Sequence, residues 1–170
     1  MKFHALRQSE MTKPVFTGGC QCGAIRFRTT ELIDNAHICH CRMCQKAVGN
    51  FFAALVSAPK SKFEWTRGKP ASFSSSQGVE RGFCAQCGTP LFYDHVDAPN
   101  IGLMIGVFDQ PAAIMPISQD SNESRMPWFN EITAVPSSGT SLELDGPERV
   151  AAVAASNRQH PDHDTEKWPR

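Results

Sequence analysis

The sequence predicts an all-β fold, and two observations support this prediction. Short runs of β-branched and aromatic residues recur along the middle of the chain, separated by turn-forming residues. Only one internal stretch, residues 42–48, has the character of a helix. With 170 residues, of which 41% are hydrophobic, the chain has the length and the apolar content for one domain with a buried core.

The predicted strands lie in a domain of residues 14–135, which follows a polar N-terminal tail of residues 1–13. Residues 24–29 alternate apolar and polar side chains, as a half-buried strand does. The continuous apolar run at residues 51–56 predicts a central strand. Further strands are expected where short runs end at turn signals, at residues 63–66, 71–74, 79–83, 91–93 and 101–108.

Helices play a small part in the predicted fold. Residues 42–48 form a short internal helix, which Gly49 ends. The C-terminal part, residues 136–170, begins with a Pro- and Ser-rich linker. An Ala-rich run with Pro near its start predicts a helix at residues 147–156, and a polar, frayed tail of residues 157–170 follows.

The charges are balanced, with 17 Lys and Arg residues against 17 Asp and Glu residues. Such a chain has no bulk attraction for phosphate backbones or acidic membranes, so a nucleic-acid partner is not expected. No apolar run reaches the length of a membrane span or of a signal-peptide core, and a cytoplasmic location is expected. Exposed strand edges leave a homodimer as one option for the assembly.

Seven cysteines fall into three clusters along the chain. In a reducing compartment such clusters indicate metal binding or catalysis rather than a disulfide framework. The odd number agrees, because seven thiols cannot all pair within one chain.

Two of the clusters together predict a closed structural zinc site. A zinc–sulfur bond of about 2.3 Å and tetrahedral angles place ligand sulfurs about 3.8 Å apart. A Cys-x-x-Cys turn achieves this spacing, and Gly88 supplies a residue that tolerates positive φ. The four thiolates of Cys20, Cys22, Cys84 and Cys87 complete one site, which joins distant parts of the chain.

The third cluster, Cys39, Cys41 and Cys44, supplies three thiolates for a second zinc. Three protein ligands with an open fourth position are the arrangement of catalytic zinc sites. Three thiolates and one zinc dication carry a net charge of about −1. The open position is expected to take water or a substrate thiol.

Other interpretations of these residues stay open at this stage. A histidine would close the second site, with His37, His40 and His95 as candidates, although His40 points away from its neighbours on an extended backbone. Redox sensing by the clustered thiols is a further alternative. A thioredoxin-like redox couple would need a βαβ context, which the sequence does not predict. Candidates to bind a substrate carboxylate or wall a pocket are Arg26, Arg28, Arg42, Lys46, Phe51 and Phe52.

Three motifs in this order resemble the glutathione-dependent formaldehyde-activating enzyme family, which also contains centromere protein V. They are Gly-Gly-Cys-x-Cys-Gly-x-Ile-x-Phe at 18–27, Cys-His-Cys-x-x-Cys-x-x-x-x-Gly at 39–49, and Phe-Cys-x-x-Cys-Gly-Thr-Pro-Leu at 83–91. The resemblance implies a β-tent fold, in which curved sheets gather around zinc. It implies the same two zinc sites. We expect the second site to be only partly occupied. It also implies carbon–sulfur lyase activity, the reversible addition of a thiol, glutathione in the founding members, to formaldehyde.

The resemblance continues more loosely at residues 123–128, which match a family stretch Glu-Ser-Arg-x-Pro-Trp. Gln119 stands where members often carry a His, which implies a different small aldehyde or thiol as substrate. The alternative function is a non-catalytic, zinc-stabilised module that binds a protein or a nucleic acid. The candidate surface for nucleic acid is the basic cluster Lys60, Lys62, Arg67 and Lys69. A closed second site would favour the module, and an open position facing a cleft would favour the enzyme.

Overall fold

Two β-sheets make up most of the regular structure in the computed structural model, which describes residues 14–168. The mainly β class is confirmed. The predicted tail at residues 1–13 lies outside the described residues, and the division of the chain at residue 135 stays a prediction. Within residues 14–168, no helix combines the length and the apolar character that crossing a membrane requires.

The smaller sheet has three antiparallel strands, β1 (Phe16–Gly19), β2 (Arg26–Thr29) and β5 (Phe63–Arg67), with β2 in the middle. Strands β2 and β5 were predicted from their alternation. Phe27 of β2 is fully buried, and its ring packs 5.1 Å from the ring of Phe108. Aromatic packing therefore fastens this sheet to the rest of the core.

The larger sheet has seven strands. They are β3 (His37–Cys39), β4 (Ala53–Pro59), β6 (Ala71–Ser76), β7 (Val79–Phe83), β8 (Pro90–His95), β9 (Asn100–Met104) and β10 (Ser118–Asp120). Their order in the sheet is β10-β3-β4-β9-β8-β7-β6. All neighbours pair antiparallel except β10 and β3, which are parallel. Strand β4 has partners on both sides, which confirms the predicted central strand.

Helix α1 (Arg42–Val48) has the predicted bounds. It begins after Cys41, whose sulfur accepts a hydrogen bond from the Cys44 amide at 3.3 Å. Gly49 ends it in the left-handed region at φ 64°, where a residue with a Cβ is strained. The helix thus holds two cysteines of the third cluster on one rigid turn.

Two predicted strands have other bounds than expected, and the first of them, β4, begins at Ala53 instead of Phe51 and extends to Pro59. Phe51 and Phe52 precede β4 and pack against each other with ring centroids 4.9 Å apart. The run at 101–108 forms a strand only to Met104, and a 3₁₀ turn follows at Ile105–Val107. Further 3₁₀ turns lie at Lys60–Lys62, Pro111–Ala113, Asn122–Ser124 and Phe129–Ala134.

Helix α2 (Ser141–Ser156) contains the predicted C-terminal helix and starts six residues earlier than its expected first residue, Pro147. Thr140 and Glu143 form a capping box at its start. The backbone leaves helical geometry at Gly146, with φ 77°, and Pro147 opens the second half. The prediction therefore identified the second half and missed the first.

Residues 157–168, here called the C-terminal strap, lie against the loop between β1 and β2. The expectation that this segment frays is wrong for these residues. The His160 amide donates to the Gln21 carbonyl at 2.7 Å, and the Trp168 indole N–H donates to the Cys22 carbonyl. His160 is buried with 5% of its surface exposed, so the strap gains contacts that its polar composition did not indicate.

The strap also completes a buried ion cluster around Arg26. The guanidinium Nη1 is 2.8 Å from Asp109 Oδ1, and Nη2 is 2.7 Å from Asp164 Oδ1 in the strap. Arg26 is only 3% exposed. The hypothesis that Arg26 binds a substrate carboxylate is therefore wrong, because the protein's own carboxylates occupy it.

Candidate metal centres and an adjoining cleft

The first cysteine group brings together Cys20, Cys22, Cys84 and Cys87, as the sequence predicts. Their sulfur atoms all lie within 4.8 Å of one another. The sulfur of Cys22 is 3.6 Å from that of Cys20 and 3.8 Å from that of Cys84. These separations match the value of about 3.8 Å for sulfurs around a tetrahedral zinc, so the donor set fits that ion.

Two tight turns position these sulfurs. The Gly23 amide donates to the Cys20 carbonyl at 3.0 Å, and the Gly88 amide donates to the Cys84 carbonyl at 2.8 Å. Gly88 has φ 76°, as its predicted role in the turn requires. The first turn joins strands β1 and β2 of the small sheet, and the second follows β7 of the large sheet. An ion held by the first group would therefore join one sheet to the other.

The thiols of this group differ in acidity. Burial raises the pKa of Cys20 to about 12. Burial also acts to raise the pKa of Cys87, but hydrogen bonds with Thr89 and the backbone outweigh it and hold that pKa at about 6. Binding of a zinc ion by this group would require loss of the proton from the Cys20 thiol.

The second cysteine group brings together Cys39, Cys41 and Cys44, whose sulfurs also lie within 4.8 Å of one another. Cys39 ends β3, Cys41 caps α1, and Cys44 lies in its first turn. Across residues 14–168, no His, Asp or Glu atom joins this group. Three sulfurs on a rigid strand–helix junction fit a zinc ion with one further position.

The candidate histidines do not close the second group. His40 is fully buried, its Nε2 lies 3.0 Å from Gln119 Oε1, and its ring packs 4.7 Å from the ring of Phe129. Gln119 therefore contacts a histidine and not the cysteine sulfurs. His37 and His95 line the space in front of the cysteines instead.

A cleft of about 430 Å³ opens onto all three cysteines of the second group. Strands of the large sheet form much of its wall, and several of the side chains that line it are polar. His37 lies on one side, and Arg81, Tyr93 and His95 come from β7 and β8. The cleft has the size and the mixed lining of a small-molecule site.

Arg81 and Tyr93 are cleft residues that sequence reasoning missed. The Arg81 guanidinium lies 5.1 Å above the Tyr93 ring, and its Nη2 is 3.5 Å from the Cys44 sulfur. The one local signal was weak. Residues two apart on a strand share a face, so Arg81 lies on the same face as Val79, which is buried. Phe83, the next residue on that face, is exposed, so the pattern alone did not indicate a buried arginine.

The second group also contains thiols of different acidity. Burial raises the pKa of Cys44 to about 12, although Arg81 acts to lower it. Burial acts to raise the pKa of Cys41 as well, but hydrogen bonds from the Cys44 amide and the neighbouring thiols lower it overall. Cys41 is accordingly the thiol of this pair that ionises more readily.

A second cavity, of about 490 Å³, adjoins the cleft and shares Met43 and Arg81 with it. Arg42 and Lys46 bring two exposed cations to this groove. No acidic residue in the described part of the chain lines it. The groove is therefore electropositive beside the second cysteine group.

Other candidates lie elsewhere. Arg28 forms an exposed ion pair with Glu64 at 3.0 Å. Phe51 and Phe52 line neither the cleft nor the groove, and the ring of Phe51 packs 5.3 Å from that of Trp128.

In the basic cluster considered for nucleic-acid binding, residues 60, 62, 67 and 69, some side chains bind other groups of the protein. Lys60 Nζ is 2.8 Å from Asp94 Oδ1, and Arg67 donates to the Gly23 carbonyl at 3.1 Å. Two of its four cations therefore already have internal partners.

The fold and its two cysteine groups define a class: a small, mainly β protein with a four-thiol site between its sheets and a three-thiol site on a cleft. Residues 15–123 match the family model described as glutathione-dependent formaldehyde-activating enzyme. The match covers more than half of the chain, and the chain belongs to this family.

Two curated relatives and one solved structure are similar to the chain. An uncharacterized lyase of Schizosaccharomyces pombe is 28% identical over 51% of this chain and 63% of its own length. A Talaromyces marneffei protein, provisionally named a glutathione-dependent formaldehyde-activating enzyme, is 28% identical over 54% of each chain. The chain thus spans between half and two thirds of these relatives. A crystal structure of a Rhodobacter sphaeroides protein shares the fold, with a TM-score of 0.51, 21% identity, and coverage of 61% of this chain and 98% of that one.

Proposed function

We propose that the protein is a zinc-dependent, carbon–sulfur lyase-like enzyme. It reversibly adds a thiol, glutathione in the first instance, to formaldehyde or another small aldehyde. Family membership supports this proposal, as do the lyase and formaldehyde-activating names of the two relatives. The observation that carries it is the group Cys39, Cys41 and Cys44, which meets an open cleft without a fourth ligand among residues 14–168. The alternative binding module would need that group closed.

Two zinc ions are assigned in this proposal. Cys20, Cys22, Cys84 and Cys87 hold a structural ion, and Cys39, Cys41 and Cys44 hold the ion at the cleft, which is more readily lost. When bound there, zinc stabilises a thiol as its thiolate or polarises a carbonyl oxygen. Seven free cysteines suit a reducing, cytoplasmic setting.

The overall reaction forms one sulfur–carbon bond and opens the carbonyl π bond. The thiol proton finally resides on the former carbonyl oxygen, which becomes the hydroxyl of the hemithioacetal. We assign the transfer of this proton from sulfur to oxygen to His37, which lines the cleft. Its Nδ1 lies 2.9 Å from the Asn35 carbonyl and donates to it, so Nε2, which lies 3.7 Å from Asp120 Oδ2, is the ring nitrogen left to take up and release the proton.

The adjoining groove supports a thiol that carries carboxylates, as glutathione does. Arg42 and Lys46 are exposed in that groove, within reach of a ligand that extends from the cleft past Met43. If the carboxylates of such a thiol bind in the groove, its sulfur can lie at the second cysteine group.

The direct test of the proposal is Cys44→Ala. The variant is expected to lose one of two zinc ions and to form hemithioacetal from glutathione and formaldehyde at the uncatalysed rate. NMR exchange spectroscopy measures that rate, and elemental analysis measures the zinc. A circular dichroism spectrum like that of the wild type would show that the first site and the fold persist. Wild-type turnover in a variant with one zinc would contradict the proposal.

Lys46→Glu tests the role of the groove. Reversing one exposed charge is expected to raise the KM for glutathione about fivefold, equivalent to about 1 kcal/mol, with kcat little changed. The KM for 2-mercaptoethanol, which has no carboxylate, should stay the same. Lys62→Glu makes the same charge change outside both cavities and is the matched control. Equal effects of the two variants on glutathione would exclude a specific role for Lys46.

A further inference from the structure

Arg81 is a buried cation whose charge no carboxylate balances among residues 14–168. Its side chain is 7% exposed, and no ion pair with Asp or Glu forms in the described part of the chain. Its Nη1 is buried and lacks a hydrogen-bond partner there. An unpaired buried charge costs several kcal/mol, so a counter-charge is expected nearby.

The contacts of the guanidinium indicate where that counter-charge arises. Nε donates to Ser75 Oγ at 3.1 Å, and the Tyr93 ring faces the group at 5.1 Å. Nη2 lies 3.5 Å from the sulfur of Cys44. Of these three neighbours, Cys44 is the one that metal binding converts into an anion.

With Arg81 included, the charges at the second group balance. Three thiolates and one zinc dication sum to about −1, and the fixed charge of Arg81 brings the total to about zero. We propose that Arg81 is the counter-ion of the second cysteine group and raises its affinity for a divalent cation. This inference rests on the proposed second zinc site, but not on the reaction catalysed there.

The first cysteine group provides a contrast within the same molecule. Its described hydrogen bonds come from neutral donors, such as the Ile25 amide at 3.2 Å from the Cys20 sulfur and the Thr89 hydroxyl at 3.1 Å from the Cys87 sulfur. Removal of the Arg81 charge should therefore weaken one site and leave the other unchanged. The two sites serve as internal references for each other.

The experiment compares R81M, R81K and the matched control R28M, which removes an exposed arginine outside the cavities. Zinc-loaded full-length proteins are titrated with a chromophoric chelator, which resolves the weaker and the tighter ion. R81M is expected to lower the affinity of the second site about 10- to 100-fold, with the first site unaffected. R81K keeps the charge and should stay within about threefold of the wild type, and R28M should match the wild type.

A purely structural role for Arg81 predicts a different pattern. Lysine lacks the planar fork that contacts Ser75 and Tyr93, so loss of packing would weaken R81K and R81M alike. Equal losses in the two variants, or full affinity in R81M, would overturn the inference. If R81M does not fold, R81Q provides the uncharged side chain for the same comparison with R81K. A wild-type protein that binds only one zinc would overturn this inference together with the proposed second site, whereas two zincs held equally well by R81M would overturn this inference alone.

Discussion

Cys84→Ser is expected to prevent the chain from folding into its native structure. Cys84 is fully buried, and its sulfur lies 3.8 Å from that of Cys22, across the junction of the two sheets. Structural zinc contributes about 10–16 kcal/mol in small zinc domains, which equals or exceeds the total stability of about 5–15 kcal/mol of a typical domain. Loss of one of the four thiolates should therefore remove the proposed structural ion, and the cooperative unfolding transition should be lost with it.

Near-ultraviolet circular dichroism and differential scanning calorimetry test this expectation. Cys39→Ser is the matched control, because it removes one sulfur from the second group, which does not join the sheets. That control should lose one zinc and keep its unfolding transition. An unchanged transition in Cys84→Ser would show that packing alone holds the sheets together.

Asp109→Asn is expected to destabilise the protein by about 3 kcal/mol at pH 7. Arg26 is 3% exposed and Asp109 is 8% exposed, so the variant leaves a buried cation with only one carboxylate. That remaining partner, Asp164, is half exposed. The substitution also weakens the hydrogen bond that the Thr17 hydroxyl donates to Asp109 Oδ2 at 2.5 Å, because the acceptor loses its charge.

Urea denaturation measures this loss, with Asp145→Asn as the control. Asp145 pairs with Arg149 on the surface of α2, and its replacement should cost no more than about 0.5 kcal/mol. Equal costs for the two variants would mean that the buried cluster contributes no more than a surface pair.

The same ion cluster predicts how stability depends on acid. Burial acts to raise the pKa of Asp109, but hydrogen bonds from Arg26 and Thr17 outweigh it, so the folded pKa lies below the ordinary value of 3.8. A lowered carboxyl pKa stabilises the fold above the unfolded value, and this contribution is lost as the pH falls through the folded value. The difference in stability between wild type and Asp109→Asn should therefore shrink below about pH 4.

Local sequence pattern was sufficient for most of the fold. Strand β2 alternates, β4 is continuously apolar, and α1 ends at a glycine, so each carries its own signal. Strands β1 and β10 carry none, because they are short and polar or glycine-containing. They form through pairing, β1 with the neighbouring β2 and β10 with β3, which lies far earlier in the chain. Sequence pattern alone does not identify strands of that kind.

The candidate site was predictable to a similar extent. Cysteine spacing alone grouped the seven sulfurs as they are grouped in space. The buried charges were not foreseen, since Arg26 and Arg81 resemble exposed strand residues until their partners are known. Those partners, Asp109, Asp164 and Cys44, lie far away in the chain, at separations of 83, 138 and 37 residues.

The location of the first cysteine group also bears on the order of events when the chain matures. Two of its sulfurs, those of Cys22 and Cys84, are separated by 62 residues of sequence. The four sulfurs of this group therefore come together only after long loops have closed. Folding that depends on such distant contacts is slow. During that interval the newly made polypeptide exposes uncapped thiols, and its yield in a cell should rise with the supply of zinc during synthesis.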